Sequence, residues 1–482
     1  MKKIFISLSA AFCLQACADM LQEKPKSLAV QNFYNTSSEI ESALFAVYVP
    51  LRDQSCLGGL YPALQEALSD YFDGRGGYLT VSNYAGLDPA NVTKAGQIWD
   101  LVYQGMRNAN LVIQNAPKST VITADDAAKF VAEARYLRAL MYFFLVRNWG
   151  GVPLRTENNL TIPDVPRSSA DDIYQLILDD LKFADINLPS SVTQSGRPTQ
   201  FAAKTVLADV YLQLGQYDLA RDKAKEVINS GNYSLVPVSI SEDFLKVFGP
   251  DVTTSSEEVF DLKFRRQDGQ GFQFVIFAHH PASGYHGAGG FYSFYGDSAR
   301  NSVLKTWDKK DLRKAYNLYK WDIGLGKNTV LNRKFRDPLA PTRTAAANDY
   351  PLYRYADVLL VHAEAASRAG GGPTAEAVES LNQVHRRAYG KDPKTADVTV
   401  DFKLTDYDAQ SFADLVIKER GYETMFEGKR WTDLKRLGTA KQVIKLVKGK
   451  TVADKAMLWP IPISEINFNK AIDPTKDQNP GY

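Results

Sequence analysis

Residues Thr199–Asn229 read TQFAAKTVLADVYLQLGQYDLARDKAKEVIN, and their spacing decides the fold. Ala203, Leu207, Ala208, Tyr211 and Leu212 recur at the three- and four-residue steps that gather apolar groups on one helical face. Gly215 breaks the run, and Tyr217, Ala220 and Ala224 resume it. The stretch therefore predicts two helices, Thr199–Leu214 and Tyr217–Asn229, folded into a hairpin by a glycine turn. Small residues recur where the two backbones must approach closely. Such a hairpin cannot bury its apolar face alone, so it must stack on neighbours.

The unit resembles one tetratricopeptide repeat. A second pair of the same kind, Arg354–Ala369 and Thr374–Ala388, is divided by Gly370-Gly371-Gly372-Pro373. Outward from these, residues 94–116 predict a helix with Ile98, Leu101, Val102, Met106, Ala109 and Val112 on one face. Asp125 and Asp126 are expected to cap a helix that runs to about Asn148, where Gly150-Gly151-Val152-Pro153 ends it. Ser169–Asn187 predicts another, with Asp171 and Asp172 in the first turn, where the helix dipole favours acids. The predicted class is mainly α: a tetratricopeptide-like helix-hairpin scaffold with long irregular loops and a few short strands.

Between the two hairpins the chain changes character. Residues 250–350 are rich in glycine, aromatics and turn residues. Glu258–Phe264 alternates apolar and polar and predicts a strand. Residues 278–296, AHHPASGYHGAGGFYSFYG, predict an irregular loop. A loop of this length in a compact domain points to function or disorder, and its aromatic content argues against disorder.

The N-terminus reads as an export signal. Lys2 and Lys3 precede an apolar run, Ile4–Leu14, too short to span a bilayer. Leu14-Gln15-Ala16-Cys17 resembles a bacterial lipobox, so residues 1–16 are expected to be removed and Cys17 to carry lipid, with 17–36 as a tether. Several acyl chains on one residue would hold the protein on a membrane, since each buried methylene contributes about 0.8 kcal/mol. Of three cysteines, only Cys56 would remain a thiol, so no internal disulfide is expected. The formal net charge of +2 falls to near zero once Lys2 and Lys3 leave, and no basic stripe remains. Nucleic acid is thereby excluded as an expected partner.

Six stretches, in order, resemble the signature blocks of the SusD-like (RagB/SusD) family: Ile98–Asn110 (IWDLVYQGMRNAN), Glu133–Leu154 (EARYLRALMYFFLVRNWGGVPL), Arg197–Leu235, Asp349–Ala365 (DYPLYRYADVLLVHAEA), Glu419–Arg436 (ERGYETMFEGKRWTDLKR), and Trp459–Pro462 with the terminal Gln478–Tyr482. The resemblance implies a SusD-like fold, with an N-terminal region over 37–250 and a C-terminal region over 251–482 that carries a loop insert at 265–350. It also implies a role: a lipid-anchored, cell-surface protein of a Bacteroidetes-type outer membrane. Such a protein captures oligosaccharides or similar nutrients and serves as the lid of a SusC-like, TonB-dependent transporter.

The charged residues of these blocks, among them Glu133, Arg138, Glu419, Arg420, Glu423, Glu427, Arg430 and Asp433, sit at helical spacings. They read as paired links between helices rather than catalytic acids, because buried charges persist when paired. The terminal Asn-Pro-Gly-Tyr is expected to dock its ring on the body. Recognition is expected in the loops, where aromatic faces stack on sugar rings and polar groups read hydroxyls. One candidate group is Arg75, Tyr78, Asn83 and Tyr84. The other is Tyr285, His286, Tyr292 and Tyr295, with Phe291 and Trp321. Taken singly, each ring is more at home in a loop core. As a group they predict at least two ligand contacts, with Tyr84→Ala or Tyr292→Ala weakening glycan binding without unfolding.

The sequence contains no H-E-x-x-H, nucleophile elbow or Walker loop. His279, His280 and His286 lack accompanying metal-ligand spacing, so neither metal nor cofactor is expected. A glycoside hydrolase and a tetratricopeptide-type protein-interaction scaffold are the alternative functions.

Overall fold

The structure, a computed structural model, describes residues 33–482. The export segment, Cys17 and most of the expected tether lie outside the described residues.

Among the described residues, the N-terminal part holds α1 (Ser37–Arg52), α2 (Leu60–Ala67), α3 (Pro89–Asn115), α4 (Ala124–Trp149), α5 (Ala170–Asn187), α6 (Gln200–Gln213) and α7 (Tyr217–Asn229). The main later helices are α8 (Tyr355–Ala369), α9 (Ala375–Ala388), α10 (Ala409–Glu423), α11 (Arg430–Arg436) and α12 (Ala440–Lys448). Both expected hairpins form: α6 packs on α7 and α8 on α9, while α3, α4, α5 and α6 pack in succession. Helix α8 also packs on α7, so the two hairpins meet although more than a hundred residues separate them.

The caps explain the starts. Thr199 accepts from the Ala202 N–H ahead of α6, and Ser169 and Asp172 form a reciprocal capping box on α5. Two expectations need correction. Helix α3 begins at Pro89, earlier than the apolar pattern suggested, because Asp88 caps it and proline suits its first position. Helix α4 is capped by Thr123, with Asp125 and Asp126 inside its first turn, since the Thr123 hydroxyl, two residues before Asp125, already meets the Asp126 N–H at 3.1 Å. The turn between α6 and α7 uses Gly215 at φ +71°.

Among the described residues, six short strands form two antiparallel sheets. β2 (Glu258–Leu262) pairs with β6 (Tyr350–Arg354) through an irregular register. β1 (Asp73–Gly74), β3 (Phe294–Asp297), β5 (Thr329–Asn332) and β4 (Leu318–Lys320) lie in that spatial order. β3 lies partly inside the stretch expected to be wholly irregular: pairing with β1 and β5 overrides its glycine-rich context.

Buried charge joins these layers. On α10 and just beyond it, Glu419, Glu423 and Glu427 are all buried. Glu419 meets Arg313 at 2.7 Å, Glu423 meets Arg354 and Arg387 at 2.5 Å, and Glu427 meets Lys334 at 2.6 Å and Arg354 at 2.8 Å. Burial alone would raise these carboxyls. The guanidinium of Arg313 beside Glu419, and Arg354 with Lys334 beside Glu427, instead hold both at about 2. Arg138 of α4 similarly ties Asp180 of α5 at 2.7 Å, and Arg197 ties Glu133 at 2.6 Å. The paired reading holds, but the partners come from distant elements rather than from one helical face. The chain end docks as expected: the Tyr482 hydroxyl accepts from the Leu87 N–H at 2.7 Å, and the Asn479 amide donates to Trp149 and Trp459 carbonyls.

Candidate functional site

The loop that enters β3 folds back along residues 276–279. The N–H groups of Phe291, Tyr292 and Ser293 donate to the carbonyls of Ile276, His279 and Phe277 at 2.8–2.9 Å. Gly290 permits this approach, since a Cβ there would lie 2.0 Å from the His279 oxygen. Tyr292, at φ +38°, is thereby turned outward from the register of its neighbours. Across the sheet, β4 presents Tyr319. Trp321 follows two residues later, its N–H donating to Thr329 at 3.1 Å.

These segments assemble a continuous ribbon of half-buried rings. The Arg75 guanidinium lies 4.1 Å from the Tyr292 ring centre. Tyr292 neighbours His280 at 4.9 Å, and His280 stacks on Trp321 at 4.7 Å. Trp321 meets Tyr319 at 6.1 Å, and Tyr319 meets Tyr285 at 5.0 Å. Arg333 closes the far end, donating to the Tyr285 hydroxyl at 3.3 Å. The Tyr319 hydroxyl accepts from the His280 backbone N–H at 3.0 Å, which ties that segment to β4, and the His280 Nδ1 accepts from the Ala282 N–H at 3.2 Å. None of these rings is fully buried, so the ribbon keeps apolar faces in water beside guanidinium and hydroxyl groups. Flat rings flanked by directional donors suit a ligand with C–H faces and hydroxyl edges.

Arg75 from the first candidate group and Tyr285, Tyr292 and Trp321 from the second are thus brought together. Tyr295 is half-buried on β3 opposite Asp73, outside the chain of ring contacts. Asn83 is exposed in the turn at 81–83. Three candidates are corrected. Tyr84 has no exposed surface: it lies against Trp431, with its hydroxyl donating to the Ser69 carbonyl at 2.8 Å. Tyr78 is buried against Phe277 and Phe294, with Lys94 over its ring. His286 is buried beside Asp337, where burial lowers its pKa. A ring already covered by protein offers no face to a sugar, and the Tyr84→Ala expectation becomes one of stability.

Sequence reasoning missed His280, Tyr319 and Arg333. For Tyr319 a signal existed: it stands two residues from Trp321, the spacing that places side chains on one face of a strand. His279 lies beneath the ribbon, its ring 5.5 Å from Tyr285 and 6.3 Å from Tyr319. It is buried, its Nε2 bonded to the Phe335 carbonyl at 2.7 Å, and burial pushes its pKa down to about 3. No group of three metal-ligating side chains occurs among the described residues. The nearby acids are engaged: Asp322 accepts from the Gly324 and Gly326 N–H groups, and Glu242 pairs with Arg333 and Arg336.

Comparison with known proteins adds the family. Residues 280–482 match the model of the SusD family, and residues 64–212 match one described as starch-binding associating with outer membrane. Over both stretches the chain is SusD-like. Among curated relatives, it is 26% identical to SusD-like protein P2 of Formosa agariphila across 97% of each chain. Among solved structures, it superposes on a SusD homolog from Bacteroides thetaiotaomicron with a TM-score of 0.79, at 21% identity over 94% of this chain and 98% of that one. Surface glycan-binding protein A from Bacteroides fluxus gives 0.74, at 23% identity over 93% and 100%. The blocks Ile98–Asn110 and Glu133–Leu154 fall within the N-terminal match, and Asp349–Ala365 and Glu419–Arg436 within the SusD match. Among the described residues, no helix of this SusD-like chain is long and apolar enough to cross a membrane.

Proposed function

We propose that this SusD-like protein captures glycans on the ribbon from Arg75 to Tyr285 and delivers them, chemically unaltered, to a SusC-like TonB-dependent transporter for which it is the lid. The observation that carries this reading is the run of five contacting rings, half exposed and ended by Arg75 and Arg333. Each stacked ring contributes about 0.5–1.5 kcal/mol beyond the area it covers, so a ligand spanning several gains useful affinity. The role is non-catalytic, in keeping with the engagement of Asp322 and Glu242 by backbone amides and arginines. Lipid on Cys17 anchors the chain to the outer surface of the outer membrane. The family description of outer-membrane association supports that placement.

Calorimetry of the mature protein against a panel of neutral oligosaccharides tests the reading. Binding of at least one member, weakened in Trp321→Ala, is the expected result. Binding untouched by Trp321→Ala, or release of reducing sugar from the bound ligand, would overturn it.

A further inference from the structure

A cavity of about 930 Å³ opens between α1, the 193–197 and 250–253 loops and the end of β2, and no ribbon residue lines it. That size is ample for a small oligosaccharide. Most charges on its walls are engaged. Arg197 pairs with Glu133 and Glu41, Lys263 with Glu258 at 2.7 Å and Asp349 at 3.0 Å, and Asp251 with Arg266 at 2.9 Å.

Two cations are left over. Neither Arg52 nor Arg265 makes an ion pair among the described residues. Arg52 lies 5.3 Å from the Phe264 ring centre and reaches only the Gln270 carbonyl, at 3.4 Å. Its Nε is buried and lacks an acceptor, which carries a desolvation cost that an incoming anion would relieve. Asp349, the acid whose charge Arg52 feels, is held by Lys263 and by the Phe264 N–H at 2.9 Å. Asp261 also lines the cavity, but burial, followed by the charge of Glu258, drives its carboxyl towards the protonated form. Arg52, Arg197, Lys263 and Arg265 line the cavity against Asp251, Asp261 and Asp349, and the Arg52 guanidinium is aimed at none of these acids. At the rim, Phe45 keeps 39% of its surface exposed, and the amides of Gln194 and Gln270 stand nearby on the walls.

We propose that this cavity is a second saccharide site, selective for acidic sugars. Arg52 and Arg265 take the carboxylate or sulfate, the Phe45 ring covers a sugar face, and the glutamine amides read hydroxyls. Guanidinium suits this task because its planar donors match a carboxylate or sulfate edge. That the ligand is a saccharide rests on the glycan-capturing role proposed above; its negative charge rests on the cavity alone.

The test measures fluorescence anisotropy of labelled tetragalacturonate, a heparin-derived tetrasaccharide, neutral maltotetraose and a tetraglutamate peptide with the mature protein, Arg52→Gln, Arg265→Gln and Trp321→Ala. At least one acidic oligosaccharide is expected to bind. Either arginine variant should weaken that binding about tenfold or more, added salt should weaken it further, and Trp321→Ala should leave it alone. Arg265→Gln, on an exposed loop, keeps the test valid if Arg52→Gln fails to fold. The proposal is overturned by absence of acidic-oligosaccharide binding, by binding indifferent to both arginines, or by tetraglutamate binding as tightly as the sugars. Loss of maltotetraose binding in Trp321→Ala alone concerns the ribbon, so failure of one site is distinguishable from failure of the other.

Discussion

Glu419–Glu427 and His280–Trp321 are stretches of similar chemical richness that the fold treats in opposite ways. In the first, every carboxylate is buried and met by arginine or lysine from another element, Arg313, Arg354, Arg387 and Lys334 among them. In the second, the rings of His280, Tyr285, Tyr292, Tyr319 and Trp321 stop half-way into the protein and touch one another. Buried polar groups left without partners are costly, so the first stretch tolerates no vacancy and holds one arrangement. The second can leave ring faces uncovered because apolar surface in water costs only about 25 cal/mol per Å². A binding surface can be kept open where exposure is cheap, while rigidity is placed where disruption is expensive.

The sharpest way to break this contrast is Glu423→Ala. It would leave Arg354 with Glu427 and Glu257 and Arg387 with Glu257 alone, one carboxylate short in the interior, and a loss of about 3–5 kcal/mol in urea unfolding is expected. A loss below about 1 kcal/mol would show that the network is not what holds the layers together.

Acid should act on the same region next. Glu419 and Glu427 titrate at about 2 in the folded protein, below their ordinary value of 4.5. Their stabilisation is therefore complete above that value and lost as pH falls through the folded values. A thermal midpoint that declines steeply between pH 4.5 and 2 is expected, at about 3 kcal/mol per carboxylate before coupling between them is counted.

Tyr84→Ala should lower stability by about 3 kcal/mol through loss of a buried ring, with no change in glycan affinity beyond that caused by unfolding. Weakened binding in a fully folded variant would return Tyr84 to the site.

Trp321→Ala should do the reverse. About tenfold weaker glycan binding, or ~1.4 kcal/mol, is expected in calorimetry, with stability unchanged within about 0.5 kcal/mol. Arg75→Ala is the mildest, removing a cation from above Tyr292 for about 0.5–1 kcal/mol of binding. Equal effects of both substitutions on stability and on binding would erase the distinction between scaffold and ribbon.

The helical pairs were legible in the sequence because their information is local. Apolar spacing around Gly215 and around Gly370–Pro373 marks faces and turns within thirty or so residues. The charged spacing of Glu419, Glu423 and Glu427 was equally visible, and so was its structural character. Their partners were not, because Arg313, Arg354 and Arg387 come from elements placed by the whole fold. The ribbon was half legible. Composition singled out the 278–296 loop, yet nothing local distinguishes Tyr292, which stays half in water, from Tyr84, which does not.

The sequence by itself determined which segments are helices, where the hairpins turn, which blocks are shared with the family, and that the aromatics gather in the loops. Only the tertiary structure decided which aromatics keep a free face and which arginines lack a carboxylate. Helix formation is settled by neighbours three or four residues away, whereas exposure and charge pairing depend on what distant chain is laid on top: Trp431 lies over Tyr84, while Trp321 stays half exposed.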